Sequence, residues 1–404
     1  MRLTNRLCVL LLLLALSAAP AWALTVAGRV VDGQGRPVAG ALVSDGAGIV
    51  ASGPDGAFSL ASAPGRVVAL TAPPGLAAPG RWWWPAAQAA RLGVVRLAAA
   101  PPLPRDRLRL GIVSDPHLYA AGTAPSWAGK LDPARPLRVW RKAAERLREY
   151  RPHLVLVCGD LAMDADQGGE ARARAQLELA ARAMALLPAP WRAVPGNHDA
   201  RYRGGRVDLS LWRRSMGPAR GVFRLGPLAV ILLDNLGAST QINGKPRSCG
   251  RLPRQALAWL AAALKLLPPE TPLLVVSHYP LASPLAGANP LRQRSLVKAP
   301  GGSGLALRDV DQNAALALAL LRSRPLAGLV SGHQHAFFTA SLAAMGGAVN
   351  LVGAPALCGR WWQGPMPFGP LSFAPGLLEG RLLRRGRAWR LEVELVDFPP
   401  AAGR

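Results

Sequence analysis

The chain has 404 residues, half of them hydrophobic and 18% charged. That balance excludes a disordered or fibrous chain and leaves room for two or three packed domains. The formal charge of +25 comes almost entirely from arginine, scattered among Ala, Gly and Pro without a dense basic block, so no nucleic-acid partner is expected, whereas an attraction for phosphate-bearing molecules is.

Residues 1–23 read as a secretory signal peptide. Arg2 and Arg6 form a positive n-region, an apolar run follows, and Ala21-Trp22-Ala23 is an A-x-A cleavage site. The run is shorter than the roughly 20 residues of a membrane span, and no second run of that length follows. The mature chain is therefore expected to be secreted or periplasmic, without a transmembrane segment. Past the signal lie Cys158, Cys249 and Cys358. Cys158 sits in an apolar run and reads as a buried thiol, while Cys249 and Cys358 fall in Gly/Pro-rich segments where an exported protein can pair them.

Residues 25–97 alternate short β-branched runs with Asp-Gly and Gly-Gln-Gly turns, the pattern of a small β-sandwich. Its "V-x-G-x-V-x-D-x-x-G-x-P-V-x-G-A-x-V" followed by "D-G-x-F-x-L" resembles the carboxypeptidase-regulatory or transthyretin-like sandwich of exported bacterial proteins. The resemblance implies a stabilising or docking module without catalysis. Trp82, Trp83 and Trp84 are expected to pack a domain joint, and residues 98–107 read as a proline-stiffened linker.

From residue 108 the rhythm becomes apolar runs alternating with helical segments. The runs "LRLGIVS", "HLVLVC", "WRAV", "LAVILLD", "PLLVVS", "LAGLVS" and "AVNLVG" are separated by stretches such as "VWRKAAERLREY" and "QALAWLAAALKLL". Short buried strands between helices predict an α/β unit with a covered sheet, over 108–358, followed by a short C-terminal extension over 359–404.

The residues just past these runs carry the functional signal. The strand ends hold Asp115 and His117, Asp160, Asn197 and His198, His278, and His333 and His335. Five of the six histidines in the chain thus stand at strand ends, and in open α/β sheets ligands bind beyond the carboxyl ends of the strands. The sixth, His153, opens a strand and is set aside. Imidazoles and carboxylates without thiolates suit borderline divalent metals such as Zn, Mn or Fe, and their number fits two ions better than one. Both side chains of Asp115-x-His117, and of His333-x-His335, are expected to point the same way along extended backbone. Glycines before Asp160, Asn197 and His333 are expected to supply sharp turns.

The order D-x-H, G-D, G-N-H-D, H, G-H-x-H resembles the calcineurin-like metallophosphoesterase superfamily over roughly residues 108–360. The resemblance implies a two-sheet αββα sandwich with a dinuclear site of Mn, Fe, Zn or Mg ions at its rim. It also implies hydrolysis of a small phosphate ester, monoester or diester, by a hydroxide bridging the metals. Carried over by motif, Asp115, His117 and His335 hold the first ion, Asn197, His278 and His333 the second, and Asp160 bridges them. His198 contacts the phosphoryl group and assists the leaving oxygen, oriented by Asp164 or Asp199. Residues 283–308 read as a lid or binding loop. Tyr119 and Tyr279 flank ligands, where they pack or stack on a leaving group. The competing expectation is an exported envelope-binding protein that docks through its N-terminal sandwich and carries a vestigial metal site.

Overall fold

Strands with both faces covered must be apolar at consecutive positions, and period 2 then sends alternate residues to opposite layers. In the strand Leu154–Val157, Leu154 and Leu156 enter one core while Val155 and Val157 enter another. The computed structural model describes residues 24–119, 132, 134–166, 169–203, 206–240, 246–285, 296–298, 305–307, 309–342, 349–358 and 376–398. The expected signal peptide and most of the 283–308 insertion lie outside the described residues.

Two sheets stack face to face. The first has five strands in the order Trp191–Ala193, Leu154–Val157, Arg107–Val113, Gly376–Arg385, Ala388–Asp397, with the first three parallel. The second has six, in the order Gly221–Leu225, Leu228–Leu233, Leu273–Ser277, Leu326–Ser331, Val349–Gly353, Phe338–Leu342; its inner four are parallel. Between the sheets lie Leu110, Ile112, Leu156, Val230, Leu274, Val276 and Val330.

Helices cover the two outer faces. Arg135–Tyr150 buries Trp140, Ala143, Ala144 and Leu147, one helical stripe, against the first sheet, and Trp140 Nε1 donates to the Ala183 carbonyl at 2.8 Å in the neighbouring helix Gly169–Met184. Arg254–Leu266 lays Ala256, Trp259, Leu260 and Ala263 on the second sheet beside Ala314–Leu321. Among the described residues no helix is long and apolar enough to cross a membrane.

The expected C-terminal extension is corrected in part. Residues 376–397 form a hairpin whose first strand pairs antiparallel with Arg107–Val113, from Arg107↔Leu383 to Ile112↔Leu378. Leu377, Leu378, Leu382, Trp389 and Leu391 are buried, so the hairpin completes the first sheet. Its apolar alternation has no visible partner in sequence because that partner lies some 270 residues upstream.

Upstream of the α/β unit, a three-stranded sheet (Ala57–Ser62, Leu24–Val31, Gly93–Arg96) and a four-stranded sheet (Ile49–Ala51, Leu42–Ser44, Val67–Thr71, Trp83–Pro85) share a core of Val26, Val30, Val43, Phe58, Leu60 and Val68. The linker starts later than its composition suggests, since Ala98–Ala99 pairs with Leu76–Ala77. This unit is joined to the α/β unit by specific contacts. Thr71 Oγ1 donates to the Val222 carbonyl at 2.6 Å, Trp259 Nε1 to Ser44 Oγ at 2.9 Å, and Arg220 Nη1 to the Gly46 carbonyl at 2.6 Å. The Arg192 guanidinium lies between the rings of Trp82 and Phe223, 3.9 and 3.7 Å from their centroids.

Candidate metal centre

The parallel strands of both sheets end on the same side, and their terminal loops carry all eight candidate residues. Bringing side chains from five loops to one point requires backbone that regular structure does not provide. Among the described residues six non-glycine residues have positive φ, and five are candidate ligands: Asp115 (49°), His117 (45°), Asp160 (52°), His333 (67°) and His335 (55°). Asp and His tolerate this left-handed region better than branched residues do, and such strain concentrates at functional sites. The expectation of extended D-x-H and H-x-H segments is thereby corrected, because alternate residues turn left-handed to aim at a common centre.

The role of the glycines is corrected too. Of Gly159, Gly196 and Gly332, only Gly159 has positive φ. The other two are needed for space. A Cβ at Gly332 would overlap Ser114 Oγ and lie 2.7 Å from the Cys158 carbonyl oxygen and 2.8 Å from Asp115 Oδ2. At Gly196 it would overlap Asp160. These glycines let neighbouring ligand loops touch.

Two groups of donor atoms result. In the first, His335 Nε2 lies 3.1 Å from Asp115 Oδ1, and His117 Nε2 lies 3.2 Å from His335 Nε2, 3.9 Å from Asp115 Oδ1 and 3.7 Å from Asp160 Oδ2. In the second, His278 Nε2 lies 3.2 Å from Asn197 Oδ1, 3.2 Å from His333 Nδ1 and 3.4 Å from Asp160 Oδ2. One Asp160 oxygen therefore stands within reach of both groups. The ligand loops are cross-tied by main-chain donors: His198 N–H to Asp160 Oδ1 at 2.8 Å, and His333 N–H to Asp115 Oδ2 at 3.1 Å.

These groups fit metal ions. Donors bonded at about 2.1 Å in a tetrahedron stand about 3.4 Å apart, near the separations observed. Asp115 Oδ1 is buried and lies 3.1 Å from His335 Nε2, a separation that suits two donors to one ion. His278 Nδ1 lies 2.7 Å from the Cys158 carbonyl oxygen; with the proton on that nitrogen, Nε2 is left bare toward the second group.

Protonation without a metal shows the same strain. Burial works against a charged His278, but the Asp160 carboxylate outweighs it and raises the imidazole to about 9. His117 goes the other way, to about 3, chiefly through burial. In His198, burial is again overcome by Asp160 and Asp166, which raise it to about 10.

Neither carboxylate expected to orient His198 does so. Asp164 accepts from Gln176 Nε2 at 2.6 Å and Arg172 Nη1 at 3.0 Å, and Asp199 clamps the Ala162 and Gly196 amides at 2.7 and 2.8 Å. Asp166 Oδ1 lies 3.4 Å from His198 Nδ1 instead. Three aspartates fall within "DLAMDAD", and only the loop's path decides which one faces the ring. His333 Nε2, on the side away from the donors, lies 3.5 Å from Asp309 Oδ1, a supporting carboxylate that no sequence motif indicated.

Both tyrosines pack. The buried Tyr279 ring lies 4.0 Å from the His333 ring, centroid to centroid, and the buried Tyr119 is 3.4 Å from the Asp132 carbonyl. The Cys249–Cys358 disulfide that the sequence leaves open is not formed in the structure, where Cys158 and Cys249 are buried and Cys358 is partly exposed. Cys249 is buried in a hairpin strand, Pro246–Gly250. Cys358 lies beside two histidines of the first donor group: its sulfur and one ring nitrogen each of His117 and His335 are all within 4.8 Å of one another. "PALCG" is the sequence trace of that approach.

Comparisons with known proteins bear on this arrangement. The profile of the calcineurin-like phosphoesterases matches residues 108–337. A protein named probable cyclic nucleotide phosphodiesterase in Rhodopseudomonas palustris is 30% identical over 175 residues, 43% of this chain and 57% of that protein, so the match spans little more than half of the relative. A dimetal phosphatase from Danio rerio is structurally similar with a TM-score of 0.45 at 15% identity, covering 72% of this chain and 98% of that one. A calcineurin-like phosphoesterase from Bacillus subtilis gives 0.37 at 13% identity, covering 73% and 91%. With its strand-end donors and a profile match over most of the α/β unit, the chain belongs to the calcineurin-like phosphoesterases.

Proposed function

We propose that the protein is an exported hydrolase of small phosphate esters, phosphodiesters among them, working through a dinuclear metal site. The observation that carries the reading is the position of Asp160 between two donor groups, 3.7 Å from His117 Nε2 and 3.4 Å from His278 Nε2. In this reading Asp115, His117 and His335 hold one ion, Asn197, His278 and His333 the other, and Asp160 bridges. Support for diesters comes from the relative named a cyclic nucleotide phosphodiesterase.

Bound divalent ions at such a centre activate water as a nucleophile and neutralise charge on the phosphoryl oxygens. The chain's own residues do the rest. His198 is 23% exposed beside the buried ligands, positioned to meet a phosphoryl group at the rim. With Asp166 holding Nδ1 and raising its affinity for protons, the ring can donate from Nε2 to the leaving oxygen. Asp309 holds His333 by the nitrogen away from the donors, and the Cys158 carbonyl does the same for His278, so neither ring must reorient during turnover. No side-chain nucleophile is needed. The N-terminal sheets form the carboxypeptidase-regulatory-like module, a docking unit outside the chemistry.

The test is hydrolysis of an aryl phosphodiester and the matching monoester by the mature chain with added manganese. An Asn197→Ala, His198→Ala double variant runs beside it. Turnover that vanishes in the variant supports the reading; absence of both turnover and bound metal overturns it and leaves a binding protein.

A further inference from the structure

We propose that Cys358 is a ligand of the first metal site, making that site a mixed nitrogen, oxygen and sulfur centre while the second holds nitrogen and oxygen donors alone. The inference rests on the dinuclear reading above and assigns a ligand that the motif set does not contain.

Three observations place the sulfur. The Cys358 sulfur lies within 4.8 Å of one ring nitrogen each of His117 and His335, at most about 1 Å beyond the roughly 3.6 Å that nitrogen and sulfur span across a tetrahedral ion with bonds of about 2.1 and 2.3 Å. Those histidines already belong to the group formed with Asp115 and Asp160. The segment is also held in register with the ligand loop. Ala356 bridges Ser114 in parallel, Leu357 N–H donates to the Ser114 carbonyl at 2.9 Å, and Cys358 N–H donates to the Asp115 carbonyl at 3.2 Å. The main chain of Cys358 is thus pinned to that of a ligand, so the sulfur's approach is set by the fold. Cys158, by contrast, is buried in the core between the sheets and burial raises its thiol out of reach of ionisation at neutral pH.

Coordination replaces the S–H bond by a sulfur–metal bond, and the proton leaves to solvent. A thiolate donor favours zinc or ferrous iron over manganese or magnesium, which prefer oxygen. The two sites therefore differ in softness, and a population loaded from a mixture carries the softer ion in the first site.

Cobalt(II) loading of the metal-free full-length mature chain reads this directly. The wild type is expected to show a near-ultraviolet sulfur-to-cobalt charge-transfer band, Cys358→Ser to lose it, and both to bind two cobalt ions. As a measurement needing no variant, zinc-edge X-ray absorption of the wild type is expected to show a sulfur neighbour at about 2.3 Å. Two ions bound without a sulfur signal in the wild type overturn the ligand and leave the dinuclear reading standing. A band that survives in Cys358→Ser also overturns it. No bound ion in either protein defeats both readings together.

Discussion

His198 Nδ1 lies 3.4 Å from Asp166 Oδ1, and the two side chains come from different loops of the first sheet. The carboxylate faces Nδ1, so in the proposed reaction Nε2 is the nitrogen that meets the substrate. Asp166→Asn is expected to lower kcat about 10²-fold with little change in KM, and His198→Ala to lower it by about 10²–10⁴-fold. Steady-state kinetics on an aryl phosphodiester, with metal content measured in parallel, checks this; loss of metal in Asp166→Asn would point to a structural role instead.

Removing the metals exposes the titration of His278. Its raised value of about 9 means that its proton stabilises the metal-free fold fully below about 6.5, the ordinary imidazole value, and that this contribution is lost as pH rises toward 9. The same proton competes with a metal for Nε2, so zinc affinity is expected to rise with pH over that window. Thermal unfolding and zinc titration of the chelator-treated protein between pH 6 and 9 would show opposite trends. In His278→Gln the pH dependence of both should flatten.

Gly332→Ala tests the packing of the ligand loops. The added Cβ meets the Cys158 carbonyl oxygen and both Ser114 and Asp115 side chains, and at least two of these partners belong to the strand end that places a ligand. The expected cost is about 1–3 kcal/mol of stability, with fewer than two metals retained after dialysis. Unchanged metal content would mean that the loops separate without moving Asp115.

At the joint between the β unit and the α/β unit, Trp82→Ala removes one of the two rings that enclose Arg192. Burial works against this guanidinium's charge, and the two ring faces and the Trp191 carbonyl, which accepts from Nη1 at 2.6 Å, are its polar contacts. A loss of about 2 kcal/mol or more is expected from the desolvated cation–π contact, read as a lower denaturant midpoint. Removing both partners, in Trp82→Ala with Arg192→Met, should cost less than the sum of the separate changes.

Much of the site is legible in the order of residues alone. Gly-Asp, Gly-Asn-His-Asp and Gly-His-Gln-His each stand directly after a run of buried strand residues, and a strand that stops at a sheet's carboxyl end can only present the residues beyond it. The seven strands seen as apolar runs are all present because both faces of each are covered, which forces apolar residues at consecutive positions. The C-terminal hairpin escapes a sequence reading for the complementary reason. Its strands alternate, and alternation does not say which distant edge it joins.

The sequence by itself determined the family, the α/β rhythm and the identity of the candidate donors, since those are local properties of residue type and spacing. Only the tertiary structure decided that Asp166 rather than Asp164 or Asp199 faces His198, that Asp309 supports His333, and that Cys358 comes to the first donor group. Each of these depends on loops from separate strands meeting in space. Such approaches are set by the packing of two whole sheets, and no neighbouring residue in the chain records them.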